Sequence, residues 1–457
     1  MSYKLSIVKN KMMKRIINIL ILLCCIASLS SCGNSTEERS RVLKIYNWAD
    51  YIDEDVLAEF PDWYKQQTGE DLRIIYQVFD INEIMLTKIE RGHEDFDVVC
   101  PSEYIIERML RKDLLLPIDR NFGHTPDYIP NVSPYIRHEL NKTSQPERQT
   151  EDYAVPYMWG TAGILFNKKF ITAEEAGTWD ILWDSKNRGK ILMKDSYRDA
   201  YGTAIIYAHA RELADSTVTV EQLMNDNSPQ AIALAEQRLK EMKPNIAGWE
   251  ADFGKEMMTK NKAWINFTWS GDAVWAIEEA DAVGVELDYT VPCEGSNIWY
   301  DGWVIPRYAR NVKAASYFIN YLCQPEIALR NMDAIGYVSA VATPEIMEAK
   351  RDTSIETRSD LSYFFGPLPG ADSLQIDPVQ YPDRRVVERC AMIRDFGDRT
   401  ELVLEMWSRV KGDNLNTGIV LLIFAVFGLL FIWLVYAKIR KYKQKRRHRL
   451  RRKRKRG

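Results

Sequence analysis

The 457-residue sequence lacks the motifs on which metal and thiol chemistry usually depend. Its seven cysteines include no C-x-x-C pair and no zinc-ligand spacing, and its five histidines stand apart without an H-E-x-x-H motif. Between residues 41 and 413 there is no internal repeat, no Gly-rich loop of the kind that cradles phosphate and no low-complexity linker. A metal hydrolase would therefore lack its usual ligands, and we expect no metal ion, no cofactor and no catalytic residue.

Acidic residues are absent from both ends of the sequence. All 64 Asp and Glu lie between Glu37 and Asp413, where only 42 Lys and Arg accompany them, so this part has a formal charge of −22. The near-neutral charge of −3 for the whole chain is thus a cancellation between parts. A field of this sign attracts cations and repels nucleic acids and anionic substrates, so we expect no nucleic-acid partner. The hydrophobic content of 46% is typical of a globular protein.

Residues 1–32 have the features of a bacterial lipoprotein signal. A basic stretch at 11–15 precedes an apolar stretch at 16–29, and Leu-Ser-Ser-Cys follows at 29–32. The apolar stretch is too short for a stable membrane span, and its ending resembles a lipobox. This pattern predicts a signal peptide over residues 1–31 and lipidation of Cys32; an uncleaved anchor is the alternative.

The segment from Thr417 to Ala437 contains 21 uncharged and almost wholly apolar residues. This length matches the roughly 20 residues that a helix needs to cross a bilayer core. Residues 438–457 contain 14 Lys and Arg and no acid, which indicates a cytoplasmic tail by the positive-inside rule. We therefore predict a transmembrane helix over 417–437, a basic tail over 438–457 that contacts anionic lipids, and a domain on the periplasmic side of the cytoplasmic membrane.

The part between the two ends alternates between strand and helix patterns. Strands are predicted at 42–48, 72–79, 97–100, 163–167, 190–193, 262–268 and 297–306, and helices after Asp53 and at 82–91, 200–212 and 312–321. Alternation of this kind predicts right-handed βαβ units, a parallel sheet and an α/β fold. In such sheets a ligand binds beyond the carboxyl ends of the strands.

Aromatic and acidic side chains cluster at these strand ends. The candidates are Trp48, Asp50, Tyr51, Ser102, Tyr104, Asp199, Trp269, Asp272, Trp299 and Asp301. Ring faces attract alkylammonium groups, and carboxylates accept charge-assisted hydrogen bonds from them, so this set favours an organic cation. The alternatives are core packing for the rings and helix N-caps for Asp199 and Asp272.

Eight segments resemble those of the periplasmic spermidine/putrescine-binding proteins of ABC transporters. They are 46–52 (YNWADYI), 78–89 (VFDINEIMLTKI), 96–109 (FDVVCPSEYIIERM), 155–167 (VPYMWGTAGILFN), 178–184 (TWDILWD), 268–276 (TWSGDAVWA), 297–306 (NIWYDGWVIP) and the helix at 312–321. The resemblance covers about residues 41–412. It implies a two-lobed clamp of the type II periplasmic-binding-protein class, which closes on a polyamine and delivers it to a permease.

Position by position, the resemblance implies that the ten candidates bind the ligand, and it adds Tyr337 from the segment AIGYVSA. Asp199 falls where the family usually has Glu, and Trp269 and Asp272 match a Trp-x-Gly-Asp variant. Ser196 replaces an acid found in spermidine-preferring members, and Asp272 is more typical of putrescine binders. These two positions favour a diamine.

The resemblance also implies that the chain crosses between the lobes more than once. We assign residues 41–155 and 300–345 to lobe 1, and residues 156–299 and 346–412 to lobe 2. The predicted function is a non-enzymatic polyamine receptor that works with an ABC permease. The alternatives are a membrane-tethered polyamine sensor that acts through a partner, and an extracytoplasmic glycosidase that uses paired carboxylates.

Overall fold

The computed structural model describes residues 39–251, 253–412, 424–431, 433, 435, 436, 438 and 440. The signal peptide over 1–31, Cys32, the start of the segment 417–437 and most of the tail 438–457 lie outside the described residues. None of the helices in the described ranges is both long and apolar enough to cross a membrane. The chain divides after Thr400 into two units.

Eleven strands of the described chain form one mixed sheet. They are β1 (Val42–Trp48), β2 (Arg73–Phe79), β3 (Val98–Val99), β4 (Leu115–Leu116), β5 (Ala154–Asn167), β6 (Ile191–Lys194), β7 (Ile246–Glu250), β8 (Ile265–Trp269), β9 (Leu287–Thr290), β10 (Ile298–Pro306) and β11 (Val338–Ser339).

The helices between residues 54 and 412 vary from single turns to four turns. They are α1 (Glu54–Thr68), α2 (Asn82–Glu90), α3 (Glu103–Arg111), α4 (Pro134–Asn141), α5 (Ala173–Ala176), α6 (Asp180–Trp183), α7 (Tyr197–Ala208), α8 (Ala210–Ala214), α9 (Val220–Met224), α10 (Pro229–Met242), α11 (Gly254–Thr259), α12 (Ser270–Asp281), α13 (Val312–Leu322), α14 (Pro325–Ile335), α15 (Pro344–Ala349), α16 (Ser362–Phe365), α17 (Arg384–Val387) and α18 (Thr400–Gly412).

The strand order along the sheet is β2-β1-β3-β10-β5-β8-β6-β7. The predicted parallel pairing is confirmed at both ends, where β1 pairs in parallel with β2 and β3, and β6 pairs in parallel with β7 and β8. It is wrong in the middle, because β10 runs antiparallel to β3 and β5, and β5 runs antiparallel to β8. Strand β5, whose 14 residues are all buried, lies between β10 and β8 in the sheet. Its first half pairs with β10 and its second half with β8.

Local capping explains why α1 follows β1 so closely. The Asp53 side chain accepts a hydrogen bond of 2.8 Å from the Asp55 N–H, which satisfies an otherwise unpaired donor at the helix start. The helix ends at Gly69, whose φ of 75° would be strained for a residue with a Cβ. These two residues fix the bounds of α1, as the sequence predicts for its beginning.

The apolar side chains form separate clusters. One combines buried residues between 43 and 159 with buried residues between 298 and 392. Another contains residues between 165 and 287, such as Leu165, Leu192 and Ala276. Leu361, Phe364 and other buried residues after 346 belong to the first cluster, which also contains the core of the segment assigned to lobe 1. The exact lobe boundaries stay a prediction.

Candidate functional site

Strand β10 presents two of the predicted site residues on one face. Trp299 and Asp301 are two residues apart in the strand, so their side chains lie on the same side of the sheet. Opposite Trp299 stands Gly160, where a Cβ would lie 2.7 Å from the indole ring. The register shifts between Asp301 and Gly302, opposite the segment that contains Pro156. Bulges of this kind re-aim side chains beside functional sites, and they accommodate a proline that cannot donate to the sheet.

Asp301 is a buried carboxylate that is only partly satisfied. The residue is 7% exposed. Its Oδ2 accepts a hydrogen bond of 2.8 Å from the Tyr51 hydroxyl. Its Oδ1 is buried and has no hydrogen-bond partner among the described residues. Burial raises the pKa of Asp301 to about 6, although the Ser102 and Tyr51 hydroxyl groups act in the opposite direction. The group therefore has the environment of an anion that lacks its cation.

Tyr337 connects this carboxylate to a second one. Its ring lies 5.3 Å from the ring of Tyr51 and 5.6 Å from that of Trp299, measured between centroids. Its hydroxyl donates a hydrogen bond of 2.9 Å to Oδ1 of Asp272. The close approach depends on Gly271, where a Cβ would lie 2.4 Å from the Tyr337 ring. Two tyrosines thus link the environments of Asp301 and Asp272.

Asp272 is already paired with a lysine that the sequence reasoning missed. The ammonium of Lys194 lies 2.6 Å from Oδ2 of Asp272 and 3.2 Å from Oε1 of Glu250. It also lies 4.6 Å from the centroid of the Trp269 ring. Burial alone would raise the pKa of Asp272, but the ammonium groups of Lys194 and Lys255 lower it below its ordinary value. In the sequence, the only feature that marks Lys194 as a site residue is its position at the end of the apolar run Ile-Leu-Met-Lys.

Asp199 is a third buried carboxylate of the site. Its Oδ1 accepts a hydrogen bond of 2.9 Å from Nδ2 of Asn297, and the neighbouring Trp269 side chain favours its ionised form. Burial raises the pKa of Asp199 above its ordinary value. The alternative that Asp199 is an N-cap is wrong, because Ser196 caps α7 and accepts a hydrogen bond from the Asp199 N–H.

The same alternative is wrong for Asp272. This residue stands in the first turn of α12 rather than at its cap position, which Trp269 occupies without a capping side-chain bond. Asp199 and Asp272 therefore lie in the first turns of their helices, and their carboxylates can bind other groups.

The core-packing alternative for the rings holds only in part. Trp299 is only 7% exposed, as a core residue would be, but its Nε1 is buried and has no hydrogen-bond partner among the described residues.

Ser102 and Tyr104 meet through an asparagine that the sequence reasoning also missed. Nδ2 of Asn82 donates to the Ser102 hydroxyl at 3.1 Å and to the Tyr104 hydroxyl at 2.8 Å. The Arg198 guanidinium lies 4.1 Å from the centroid of the Tyr104 ring. One face of Tyr104 is therefore covered by a cation of the protein itself, while Ser102 reaches Asp301.

The structure separates Trp48, Asp50 and Tyr51, which are close together in the sequence. Trp48 ends β1, with its ring 4.6 Å from the ring of Phe79, and its buried Nε1 has no partner among the described residues. Asp50 is exposed at a backbone φ of 51°, and its side chain forms no hydrogen bond or ion pair within the described chain. The structure therefore joins Tyr51, but not Asp50, to the contact network of the site.

Groups suited to a metal ion are not found at this site or elsewhere in the described ranges, where no cluster of three His, Cys, Asp or Glu side chains occurs. The four described cysteines are all free. The site is instead composed of carboxylates, indole and phenol rings and hydroxyl groups, which recognise an organic cation.

An α/β fold with such a site at its strand ends defines a solute-binding protein. Residues 62–351 match the family described as bacterial extracellular solute-binding protein, and the chain belongs to this family. The spermidine/putrescine-binding periplasmic protein of Escherichia coli strain K12 is 26% identical over 376 residues, which cover 82% of this chain and 93% of that protein. The putrescine-binding periplasmic protein PotF of the same strain is 28% identical over 324 residues, covering 68% and 82%.

Solved structures confirm the two-lobed fold. A putative spermidine/putrescine ABC transporter protein from Listeria monocytogenes superposes with a TM-score of 0.64 at 29% identity and covers 81% of this chain and 99% of its own. The spermidine/putrescine ABC transporter substrate-binding protein PotD from Streptococcus pneumoniae has a TM-score of 0.60 at 28% identity, covering 81% and 98%. These relatives are named as transport proteins and not as enzymes.

Proposed function

We propose that this protein is the substrate-binding receptor of a polyamine ABC transporter, with putrescine or spermidine as its ligand. The observation that supports this most directly is the Asp301 carboxylate, which is buried, half-satisfied and without an ion pair among the described residues. A buried carboxylate in this state is costly unless a cation neutralises it. An alkylammonium group between Asp301 and the neighbouring ring faces would supply that charge.

The arrangement along β10 fits a cation with charges at both ends. Trp299 and Asp301 lie on one face of the strand, and Asn297, which directly precedes the strand, donates its amide to the second carboxylate, Asp199. At about 3.3 Å per residue the row extends roughly 13 Å along the strand. The proposed ligand places its alkyl chain against Trp299, with one ammonium group toward Asp301 and the other toward Asp199. Tyr51, Tyr337, Trp48, Ser102 and Tyr104 complete the proposed site.

Binding measurements test this proposal. In calorimetry with the full-length protein in lipid nanodiscs, putrescine or spermidine should bind, whereas glucose and glutamate should not. The reason is that the site offers unpaired carboxylates and ring faces, which favour an ammonium group over a neutral sugar or a second carboxylate. Comparable binding of all four compounds, or binding of none, contradicts the proposal.

We also propose a membrane arrangement, which rests on the sequence. Lipidated Cys32 and a transmembrane helix over 417–437 would hold the domain on the periplasmic side of the cytoplasmic membrane, with residues 438–457 in the cytoplasm. Basic residues beside anionic headgroups are favourable by about 1 kcal/mol each, whereas moving 14 of them across the bilayer is strongly disfavoured. Tethering at both ends would raise the effective concentration of the receptor at its permease.

Protease accessibility tests this arrangement. Protease added to spheroplasts should digest the domain but spare an epitope tag placed after Gly457, because the membrane shields the tail. Detergent-permeabilised spheroplasts are the control, in which the tag should also be lost. Removal of the tag from intact spheroplasts, or recovery of intact protein in the outer-membrane fraction, would show that the proposed topology is wrong.

A further inference from the structure

The Lys194 ammonium fills the part of the site that Trp269 and Asp272 form. Lys194 is 1% exposed and ends strand β6. Its ammonium donates hydrogen bonds to Asp272 at 2.6 Å and to the Ala251 carbonyl at 2.9 Å, and it forms an ion pair with Glu250 at 3.2 Å. The Trp269 ring faces the same ammonium at 4.6 Å. These contacts hold the ammonium group in place.

The acids around Lys194 are satisfied as well. Oε2 of Glu250 accepts a hydrogen bond of 3.0 Å from the Gly254 N–H, and its Oε1 is 3.4 Å from the Asn266 amide. Asp272 has Tyr337 and Lys255 at one oxygen and Lys194 at the other. A ligand ammonium at Oδ2 of Asp272 would have to displace Lys194 and so break a buried ion pair.

Asp199 and Asp301 differ from this pair in one respect. Oδ1 of Asp301 has no hydrogen-bond partner in the described chain. Asp199 accepts a hydrogen bond from Asn297 and feels the charge of Lys194, but it forms no ion pair within 4.0 Å in the described chain. Both are at least nine-tenths buried. The site therefore offers two carboxylates that await a cation and a third that already has one.

We propose that Lys194 is a built-in ammonium group that reserves Trp269 and Asp272, and thereby selects diamines over triamines. This inference rests on the proposed polyamine-binding function and adds the number of ammonium groups that the ligand carries. Two unpaired carboxylates match the two charges of a diamine. At Asp272 the third ammonium of a triamine would meet the like charge of Lys194 instead of a free carboxylate.

The double variant Lys194→Met/Glu250→Gln tests the proposal. It removes the ammonium together with one of its two carboxylate partners, so the buried charge stays balanced while Asp272 becomes available. The ratio of the spermidine Kd to the putrescine Kd should fall at least tenfold in calorimetry with the full-length protein. Lys190→Met is the matched control, because Lys190 also lies over an indole ring, that of Trp264 at 5.1 Å, but precedes the opposite end of β6. It should leave the ratio unchanged.

The wild-type protein provides a second measurement that needs no variant. It should bind putrescine at least tenfold more tightly than spermidine, and also more tightly than butylamine, which has a single charge. Equal affinity for putrescine and spermidine, or an unchanged ratio in the folded double variant, overturns the inference and leaves the proposed function standing. Failure of the wild-type protein to bind any polyamine overturns the proposed function, and with it the inference.

Discussion

Asp301→Asn is expected to weaken putrescine binding at least a hundredfold without harming the unliganded fold. Asp301 is buried, and its Oδ1 has no partner among the described residues, so in the complex it pairs with a desolvated ammonium. Removing one member of such a pair costs roughly 3 to 5 kcal/mol. Asparagine has nearly the same shape and can still accept the hydrogen bond from Tyr51.

The same change should stabilise the unliganded protein at neutral pH. The pKa of Asp301 is raised from an ordinary value of 3.8 to about 6 by burial. The native state therefore holds this proton more tightly than the unfolded state does, and stability falls as the pH rises from about 4 to about 6. Above pH 6 the ionised carboxylate costs on the order of 3 kcal/mol. Asparagine removes this cost, so the unliganded melting temperature at pH 7 should be equal or higher.

Asp50→Asn is the matched control for Asp301→Asn. It makes the same chemical change at an exposed residue whose side chain has no hydrogen bond or ion pair within the described chain. Its putrescine affinity and melting temperature should match those of the wild type. Equal loss of binding in both variants, or collapse of unliganded Asp301→Asn, would show that Asp301 is not the ligand's charge partner.

Binding of putrescine should also weaken as the pH falls below about 6, because Asp301 then takes up a proton. The other ionisable groups coupled to it are Tyr51, Tyr337, Cys100 and Glu103, and burial raises the pKa of each. Tyr51 stays protonated across this range. Calorimetry between pH 5 and pH 8 should therefore show the loss in the wild type, and a flatter profile in Asp301→Asn.

Sequence reasoning succeeded where the determinant is local. The alternation of β10 alone placed Trp299 and Asp301 on one face, and Asp53 marked the start of α1. It failed where the structure depends on which strand pairs with which. Hydrophobic patterns identify strands but not their neighbours, so the antiparallel course of β5 and β10 through the middle of the sheet was not foreseen.

The site shows the same limit. Asp50 follows Trp48 closely in the sequence, but the left-handed backbone at Asp50 leaves it exposed and apart from the others. Lys194 is 78 positions from Asp272 and ends an apolar run that predicts a strand. No local pattern shows that its ammonium group meets Asp272, Glu250 and Trp269. The distribution of charge within the site therefore emerges only from the folded chain.

Asp272→Asn is expected to have the opposite effect to Asp301→Asn. It leaves Lys194 with Glu250 as its one remaining carboxylate partner among the described residues. We therefore expect a loss of about 3 kcal/mol in the free energy of unfolding, the lower end of the range for breaking a buried pair. If Lys194 reserves this carboxylate, the affinity for putrescine in the folded fraction should change less than fivefold.

The pH dependence gives a further check on Asp272→Asn. The pKa of Asp272 lies below its ordinary value, chiefly because two ammonium groups outweigh the effect of burial. A carboxylate of this kind contributes stability above its unfolded pKa, and this contribution is lost as the pH falls through the folded pKa. Denaturant unfolding of the unliganded protein should therefore show a large difference from the wild type at pH 7 and a smaller one toward pH 3. A variant that unfolds like the wild type at pH 7 but loses putrescine would instead make Asp272 a direct ligand of the polyamine.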